Sequence, residues 1–314
     1  MTAEAASMAP EAPSSVAFSN PQALTDDLYR DSPLSIRPLT THMGVEVIGA
    51  GQVKGTPEWL RRTLNFLWME HGVLLFRDLD FNEADQVAFS RMFGEQEVHG
   101  RLELNSREHP ELLYLTNRKD LGLPEIATQS NELDWHSDQT YLPRPALGSF
   151  LYAVEVPPSG GNTYWADMRT AYDRLPEETK ARIDGTIAIH DYDKVNKSYG
   201  GAANDFQKSR TSLCERHPLV RTHPLTLRRT LYLAPRMMTR IEGMDEAESE
   251  TLFTQLEAAA TADDLVYRHN WRAGDAVLWD NARVMHRRDA FSADTIRFMR
   301  RTTIRPPVEI SVPF

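Results

Sequence analysis

The first regular stretch of the chain has the apolar spacing of an amphipathic helix. In PEWLRRTLNFLWMEHG, apolar residues recur at intervals of three and four, which places them on one helical face. These residues are Leu60, Leu64, Leu67 and Trp68. Pro57 fits the first turn of this helix and Gly72 fits its end. FNEADQVAFSRMFGE predicts a second amphipathic helix that ends at Gly94, and VLLFRD between the two helices predicts a short buried strand.

Beyond the second helix, the pattern changes to short apolar runs separated by turns that contain proline or glycine. Examples are ALGSFLYAVEVP, GGNTYWADM, HPLVRTHP, DAVLWDN and IRFMRRTTI. Such runs are typical of an antiparallel sandwich or barrel rather than of parallel βαβ units. RTAYDRLPEETKARIDG and EAESETLFTQLEAAAT interrupt them with helical periodicity. The pattern therefore predicts a mainly β fold, with a jelly-roll-like core, N-terminal helices and inserted helices.

Composition bounds the organisation of the chain and its surroundings. Residues 1–32 are rich in Ala, Ser, Pro and Glu, which predicts a disordered tail, and residues 33–314 are predicted to form a single domain. The formal net charge of −10 argues against binding to nucleic acid or to a membrane surface. Cys214 is the only cysteine, which excludes an intrachain disulfide. Because no signal peptide or long apolar run is present, the expected location is the cytoplasm.

The stretch DWHSDQTY contains two side chains that suit a metal ion. If this stretch is a strand or a strand end, His136 and Asp138 point to the same face, because strand side chains alternate. A third ligand has to come from elsewhere, and His286 follows the apolar strand pattern of DAVLWDN after a short turn. Two imidazoles and one carboxylate form the ligand set of non-haem Fe(II) oxygenases. The same three residues also fit a zinc hydrolase.

Cationic side chains near the end of the chain favour iron over zinc. In IRFMRRTTI, Arg297 and Arg301 are predicted to lie on one face of a strand, with Arg300 on the other. Two guanidinium groups that face one interior are costly unless an anion neutralises them, and arginine binds carboxylates with two parallel hydrogen bonds. A dicarboxylate co-substrate next to the iron explains this pair. The GGNTYW turn adds the hydroxyl of Thr163 on a strand that can pair nearby.

Taken together, these motifs resemble the TauD/TfdA family of Fe(II)- and 2-oxoglutarate-dependent dioxygenases, which includes the taurine and 2,4-D enzymes. The resemblance extends from about residue 35 to about residue 305 and rests on several segments in family order and spacing. They are VLLFRD, AFSRMFGE, DWHSDQTY, GGNTYWADMRTAYDRL, HPLVRTHP, RIEGM, LWDNARVMHR and RFMRRTTI. The fold that this resemblance implies is the double-stranded β-helix, which agrees with the strand pattern.

The resemblance also implies roles for individual residues. The iron ligands would be His136, Asp138 and His286. Thr163 and Arg297 would hold the distal carboxylate of 2-oxoglutarate, and O₂ would be the second co-substrate. Arg301, His99 and the backbone N–H of Gln139 would contact a small anionic organic substrate. The chain departs from the taurine enzyme at Leu102 and Asn196, where that enzyme has aromatic pocket walls, so the substrate need not be taurine.

Two hypotheses from other functional classes use the same residues. A zinc-dependent hydrolase would share the two histidines and the aspartate, but it gives no role to Arg297, Arg301 and Thr163. A non-catalytic β-sandwich that binds a small anion would use the three residues as a structural metal site. Because members of the family often self-associate, the resemblance also implies a homodimer or homotetramer.

Overall fold

The computed structural model describes residues 33–100, 102–123, 130–194, 214–223 and 225–308. The predicted tail, residues 1–32, lies outside the described residues, as does Asn196. The strands are β1 (Ser35–Pro38), β2 (Val45–Ile48), β3 (Val73–Phe76), β4 (Gln96–Glu97), β5 (Leu113–Thr116), β6 (Leu133–His136), β7 (Gly148–Glu155), β8 (Thr163–Asp167), β9 (Ile187–Asp191), β10 (Cys214–Pro218), β11 (Val220–Thr222), β12 (Arg229–Leu231), β13 (Met238–Ile241), β14 (Val266–His269), β15 (Ala276–Asp280), β16 (Val284–Arg288) and β17 (Phe298–Ile304). The longer helices are α1 (Glu58–His71), α2 (Glu83–Ser90), α3 (Met168–Arg174), α4 (Glu177–Ile183) and α5 (Glu246–Ala260).

Two sheets form the β core. The larger sheet has the order β1-β2-β3-β15-β7-β17-β4, with β5 also paired to β17, and the smaller has the order β14-β8-β16-β6. The pairings in both are antiparallel except for β2 with β3. Two further sheets, β10-β9-β13 and β11-β12, complete the described strands. The prediction of a mainly β, jelly-roll-like fold is confirmed.

The two large sheets pack face to face around an aromatic and aliphatic core. Trp165 on β8 contacts Trp279 on β15, with ring centroids 5.7 Å apart. Leu151, Val277 and Met299 from the larger sheet belong to the same buried cluster. Because successive side chains of a strand alternate between faces, one row from each strand fills this layer and the next row points away. Thr163, His286 and Arg301, described below, lie two positions from core residues Trp165, Val284 and Met299 and therefore belong to the inward rows.

Helix α1 forms where the apolar spacing predicts it. Its predicted stripe, Leu60, Leu64, Leu67 and Trp68, is buried. Pro57 occupies the N-cap, and Gly72 ends the helix with a φ of 75°. That left-handed conformation suits glycine at a helix end. The apolar spacing and the flanking Pro57 and Gly72 are therefore sufficient to predict this helix from sequence.

The inserted helices differ in one respect from the sequence pattern. RTAYDRLPEETKARIDG forms two helices, because Pro176 follows α3 after Leu175 and serves as the N-cap of α4. Helix α5 begins at a capping box in which Asp245 and Glu248 satisfy each other's backbone N–H groups. In the described part of the chain, no helix combines the length and apolar character needed to cross a bilayer.

Candidate active site

The three predicted metal ligands converge at one buried point. His136 is the last residue of β6, Asp138 lies in the turn that follows, and His286 lies in the middle of β16. β6 and β16 pair so that His136 is directly opposite His286. One ligand atom from each of the three residues lies within 4.8 Å of the other two. The predicted convergence is present, although Asp138 lies in a turn rather than on a strand.

Hydrogen bonds fix the orientation of Asp138. Ser149 Oγ donates to Oδ2 at 2.8 Å, and Arg301 Nη1 donates to Oδ1 at 3.1 Å. Asn281 Nδ2 in turn donates to Ser149 Oγ at 3.2 Å. Burial opposes the ionisation of Asp138, but Arg301 and the two imidazoles hold its pKa below the ordinary value. Asp138 is therefore a carboxylate at neutral pH, and lone pairs remain on it for a cation.

Both imidazoles are in the state that binds a metal. His136 Nδ1 donates to the carbonyl oxygen of Asp134 at 2.8 Å, which leaves Nε2 as the ligand nitrogen. His286 Nε2 lies 3.9 Å from Asp138 Oδ2. Burial lowers the pKa of His136, and burial together with the neighbouring His136 lowers the pKa of His286 to about 3. Both rings are therefore neutral at neutral pH.

The donor set fits a divalent transition metal. Two neutral imidazole nitrogens and one hard carboxylate oxygen match the ligands of non-haem Fe(II), with coordination positions left for other molecules. The three residues are also buried, so a metal here would be shielded from bulk water. The same donors would accept zinc, and the identity of the metal is decided by the groups around them.

A cavity of about 170 Å³ opens beside the triad and contains a cluster of positive charge. Its polar lining includes Thr116, Glu132, His136, Thr163, His286, Arg288, Arg297 and Arg301, so three guanidinium groups outnumber one carboxylate. Its apolar lining includes Leu115, Leu133, Leu151 and Phe291. Residues from both large sheets thus line one cavity, and they include two histidines of the triad and three arginines. Such an arrangement suits a small molecule that carries more than one anionic group.

Thr163 and Arg297, the residues predicted to bind 2-oxoglutarate, both line this cavity. Thr163 begins β8 and accepts a hydrogen bond from Trp271 Nε1 at 2.9 Å. Arg297 immediately precedes β17, is buried, and donates through Nε to the carbonyl oxygen of Gly161 at 3.3 Å. Burial, with a smaller effect from the charge of Arg288, lowers the pKa of Arg297 to about 9, which leaves it charged at neutral pH.

Two glycines shortly before Thr163 lie where the backbone packs closely against its neighbours, one of which is Arg297. Gly160 and Gly161 have φ values of 75° and 66°, a region that side-chain-bearing residues rarely adopt. A Cβ on Gly161 would lie 3.1 Å from Arg297 Cδ, and a Cβ on Gly160 would lie 2.5 Å from the carbonyl oxygen of Ala290. The GGNT motif is therefore explained by the close approach of the backbone to an arginine as well as by the hydroxyl it supplies.

Arg301 lies in the cavity and contacts the triad. Its Nη1 bonds to Asp138, and its buried Nε has no hydrogen-bond partner among the described residues. An unsatisfied buried N–H on a cation favours an anionic ligand. Arg300, one position earlier, points to the opposite face and packs over Tyr152, as the alternation of the strand predicts.

The other two residues predicted to contact the substrate, Gln139 and His99, are not among those that line the cavity. Gln139 is buried next to Asp138 and has a φ of 58°, a strained conformation of the kind that clusters at functional sites. His99 is half-buried in the loop after β4, and it is not among the residues that line the cavity. Leu102 is half exposed, at 51% of its surface. The roles of His99 and Gln139 in substrate binding stay predictions.

Three histidines outside the triad have polar partners within the fold. His223 Nε2 bonds to Asp280 Oδ2 at 2.8 Å, and His217 Nε2 bonds to the carbonyl oxygen of Thr140 at 2.7 Å. Both contacts indicate a structural role. His269 Nε2 bonds to Asp275 Oδ2 at 3.0 Å.

Three features of the site were not predicted from sequence. Arg288 lines the cavity, Trp271 bonds to Thr163, and Ser149 bonds to Asp138. A signal existed for Arg288, which lies two positions after His286 and therefore on the same face of a strand. Trp271 and Ser149 gave no such signal, because their contacts depend on how distant strands pair.

Comparison with known proteins identifies the family. A family model described as "Taurine catabolism dioxygenase TauD, TfdA family" matches residues 35–303. The chain belongs to the TauD/TfdA family. Members of this family use Fe(II), 2-oxoglutarate and O₂, and the chain has the ligand triad and the cationic cavity that these require. It is an α-ketoglutarate-dependent dioxygenase.

Individual TauD/TfdA relatives cover most of the chain. It is 34% identical to the α-ketoglutarate-dependent 2,4-dichlorophenoxyacetate dioxygenase of Cupriavidus pinatubonensis, over 83% of this chain and 93% of that protein. It is also 34% identical to the (S)-phenoxypropionate/α-ketoglutarate dioxygenase of Sphingobium herbicidovorans, over 84% of this chain and 92% of that protein. The crystal structure of AAD-2 in complex with Mn(II) and N-oxalylglycine superimposes with a TM-score of 0.75 at 33% identity, covering 90% of this chain and all of that chain.

Proposed function

We propose that the protein hydroxylates a C–H bond of a small organic anion, with 2-oxoglutarate and O₂ converted to succinate and CO₂. The observation that carries this proposal is that His136 and His286 of the triad line the same cavity as Thr163 and Arg297. A zinc hydrolase would need only the triad. Binding of a dicarboxylic keto acid beside the triad explains the guanidinium groups of Arg297 and Arg301 and the hydroxyl of Thr163.

The residues of the chain divide the work of binding and positioning. Iron held by the triad would supply the activation of O₂, with 2-oxoglutarate as the reductant. Thr163 and Arg297 bind the distal carboxylate of 2-oxoglutarate and so direct its keto acid end toward the triad. Arg301 binds the anionic group of the substrate and fixes which C–H bond faces the metal. The apolar side chains of Leu115 and Leu151 reduce access of water to the reaction.

We infer that the substrate is an organic carboxylate. Arg301, with its unsatisfied Nε, suits a carboxylate or a sulfonate equally well. Support for the carboxylate comes from relatives at 34% identity, whose names record a phenoxyacetate and a phenoxypropionate as substrates. His99 and the backbone N–H of Gln139 would add contacts to the same anionic group.

An anaerobic titration tests the proposed function. Fe(II)-loaded protein is titrated with 2-oxoglutarate, and the weak visible metal-to-ligand charge-transfer band is followed. We expect the band to appear in the wild type and to be absent in Asp138→Ala, which should no longer hold iron. Oxygen-dependent release of succinate then separates an enzyme from a binding protein. Iron bound without a band on adding 2-oxoglutarate would favour the zinc or binding-protein hypothesis.

We also propose a cytoplasmic location and self-association into a dimer or tetramer. The first is supported by the single cysteine and the absence of a membrane-spanning helix among the described residues. The second is supported by the resemblance to the family alone. The net charge of −10 supports the absence of nucleic-acid and membrane partners. Light scattering of the purified protein measures its oligomeric state.

A further inference from the structure

We propose that Arg288 is a second cationic contact for the distal carboxylate of 2-oxoglutarate and selects dicarboxylic over monocarboxylic keto acids. The proposal rests on the proposed function, and specifically on the placement of that carboxylate at Thr163 and Arg297. Arg288 would act with these two residues from the opposite strand.

The position of Arg288 on β16 directs it to this part of the cavity. Because side chains alternate along a strand, Arg288 lies on the same face as the metal ligand His286, two positions earlier. In the ladder between β16 and β8, Arg288 is directly opposite Thr163. Residues directly opposite in an antiparallel ladder have Cβ atoms about 5 Å apart. Arg288, Thr163 and Arg297 all line the cavity.

Contacts around Arg288 hold its guanidinium at the cavity wall. Its Nη1 donates to the carbonyl oxygen of Asp289 at 3.1 Å, and its Nη2 donates to the carbonyl oxygen of Asn131. The guanidinium also lies over the ring of Phe291, 5.2 Å from its centroid. Carbonyl oxygens are neutral acceptors, so these two bonds orient the group and leave its charge in place. An arginine held in place before binding loses less side-chain entropy when a ligand arrives.

The neighbouring carboxylates are engaged by another arginine. Glu132 and Asp289 are the acidic groups whose charges act on Arg288. Arg287, which points to the outer face, donates to Glu132 at 2.9 Å and to Asp289 at 3.2 Å. Asp289 also accepts hydrogen bonds from the side chains of Asn162 and Tyr164. The field of these carboxylates at Arg288 is therefore shared with several other donors.

Arg288 and Arg297 thus present two positive charges to one cavity. The charge of Arg288 contributes to the lowered pKa of Arg297, which indicates that the two groups repel each other. Such repulsion is relieved when an anion lies between them. A keto acid that ends in a carboxylate gains this contribution, and one that ends in a methyl group does not.

The alternative explanation is that Arg288 only anchors the loop that begins at Asp289. Both explanations predict some loss of function on mutation, but they differ in which ligands are affected. A loop anchor would alter the binding of every keto acid that reaches the metal. A contact to the distal carboxylate would alter 2-oxoglutarate alone.

The experiment measures the affinity of Mn(II)-loaded protein for two keto acids by titration calorimetry. The ligands are 2-oxoglutarate and 2-oxobutanoate, which share the keto acid end and differ in the distal carboxylate. The variant is Arg288→Gln. The control is Arg268→Gln, which removes one positive charge from an exposed position on the same sheet. We expect the Kd for 2-oxoglutarate to rise about tenfold in Arg288→Gln, as for loss of one charge-assisted contact, with less than a twofold change for 2-oxobutanoate. The control should bind both ligands as the wild type does.

Arg288→Lys keeps the test decisive if Arg288→Gln does not fold. Lysine keeps the charge and cannot reproduce both carbonyl bonds, so we expect most of the preference for 2-oxoglutarate to remain. An unchanged ratio of the two affinities in Arg288→Gln, or an equal loss for both ligands in either variant, overturns the inference alone. Failure of the wild type to bind 2-oxoglutarate overturns the proposed function and this inference with it.

Discussion

The hydrogen bond between Trp271 and Thr163 determines where the proton of the threonine hydroxyl can go. An indole Nε1 can only donate, so Thr163 Oγ1 is the acceptor in the 2.9 Å contact. The hydroxyl's own proton is then free for another acceptor in the cavity, and a carboxylate is one. Trp271 is itself held edge-to-face against His269, with ring centroids 4.6 Å apart. Trp271 is therefore a positioning residue for the Thr163 hydroxyl.

We expect Trp271→Phe to weaken binding of 2-oxoglutarate about three- to tenfold, because the Thr163 hydroxyl loses its fixed orientation. Titration calorimetry on Mn(II)-loaded protein measures the change. Affinity for 2-oxobutanoate should stay near the wild-type value. Trp59→Phe, at an exposed position of α1, is the matched control. Wild-type affinity for 2-oxoglutarate in Trp271→Phe would show that the indole N–H does not orient the hydroxyl.

At the residue scale, sequence predicts the side chains that belong to motifs and misses those that join them through pairing. His136, Asp138 and Thr163 stand in short recognisable segments. His136 and Thr163 line one cavity, and Asp138 lies next to His136 in the triad. Trp271 reaches Thr163 because β14 pairs with β8, which places His269 opposite Thr163. That register is set by contacts between segments about a hundred residues apart, and no local pattern encodes it.

A buried arginine, Arg283, joins helix α1 to the smaller sheet. Arg283, in the turn before β16, donates to Asp167 at 3.2 Å, and both side chains are almost fully buried. The same guanidinium donates to the carbonyl oxygen of Glu70 at 2.6 Å, near the C-terminus of α1. A Cβ at Gly72 would lie 2.7 Å from Arg283 Cδ, so the glycine that ends the helix also makes room for the arginine. Arg283 thus fixes the helix against the strand that carries His286.

We expect Arg283→Met to lower the free energy of unfolding by about 3 kcal/mol, because buried Asp167 would lose its ion-pair partner and keep only the bond from Thr170 and the weaker effect of Arg169. Urea denaturation at neutral pH measures this. The control is Arg61→Met, which breaks the exposed pair with Glu58 and should cost less than about 1 kcal/mol. Equal costs for the two variants would contradict a stabilising role for the buried pair.

The stability contributed by the Arg283–Asp167 pair depends on pH, because the pKa of Asp167 is shifted in the folded protein. Burial opposes its ionisation, but Arg283 holds the pKa of Asp167 below the ordinary value in the folded protein. A carboxyl group whose pKa is lower in the folded than in the unfolded protein stabilises the fold. The contribution is complete above the unfolded pKa of about 4, and it is lost as the pH falls toward the folded pKa. The difference in the free energy of unfolding between wild type and Arg283→Met should therefore become smaller in acidic solution.

At the element scale, helices follow their sequence signals more closely than strands do. α1 has its predicted stripe, and α3 and α4 separate at a proline that the sequence displays. β6, by contrast, ends at His136, so Asp138 reaches the site from a turn. β17 carries a register shift between Phe298 and Met299, which alternation alone does not predict. Helical contacts are local in sequence, whereas strand ends and bulges depend on partner strands.

At the scale of the whole molecule, the site joins the two sheets. The two histidines of the triad come from β6 and β16 of the smaller sheet, and Arg301 comes from β17 of the larger sheet. Asp138 links them, because it bonds to Arg301 and to Ser149 on β7. A metal ion at the triad therefore binds the folded arrangement of both sheets, which the unfolded chain cannot offer. Ligand binding of this kind stabilises the entire fold.

We expect Mn(II) to raise the melting temperature of the wild type. Metal at a hundred times its Kd contributes about 2.7 kcal/mol, or about 4–5 °C for a chain of this size. Differential scanning fluorimetry across a Mn(II) series measures the shift. The shift, rather than the melting temperature itself, is the quantity to compare, because His286→Ala alters the metal-free protein as well.

The contrast between two histidine variants decides whether the stabilisation comes from the triad. His286→Ala removes one of three ligands, and we expect its Mn(II) shift to fall to near zero. His109→Ala removes a histidine that is not part of the triad and should keep the full shift. A metal bound at scattered surface carboxylates would instead stabilise both variants equally, and it would do so only at high concentration. A full shift in His286→Ala would therefore place the stabilising metal elsewhere and remove the triad as the element that couples the two sheets.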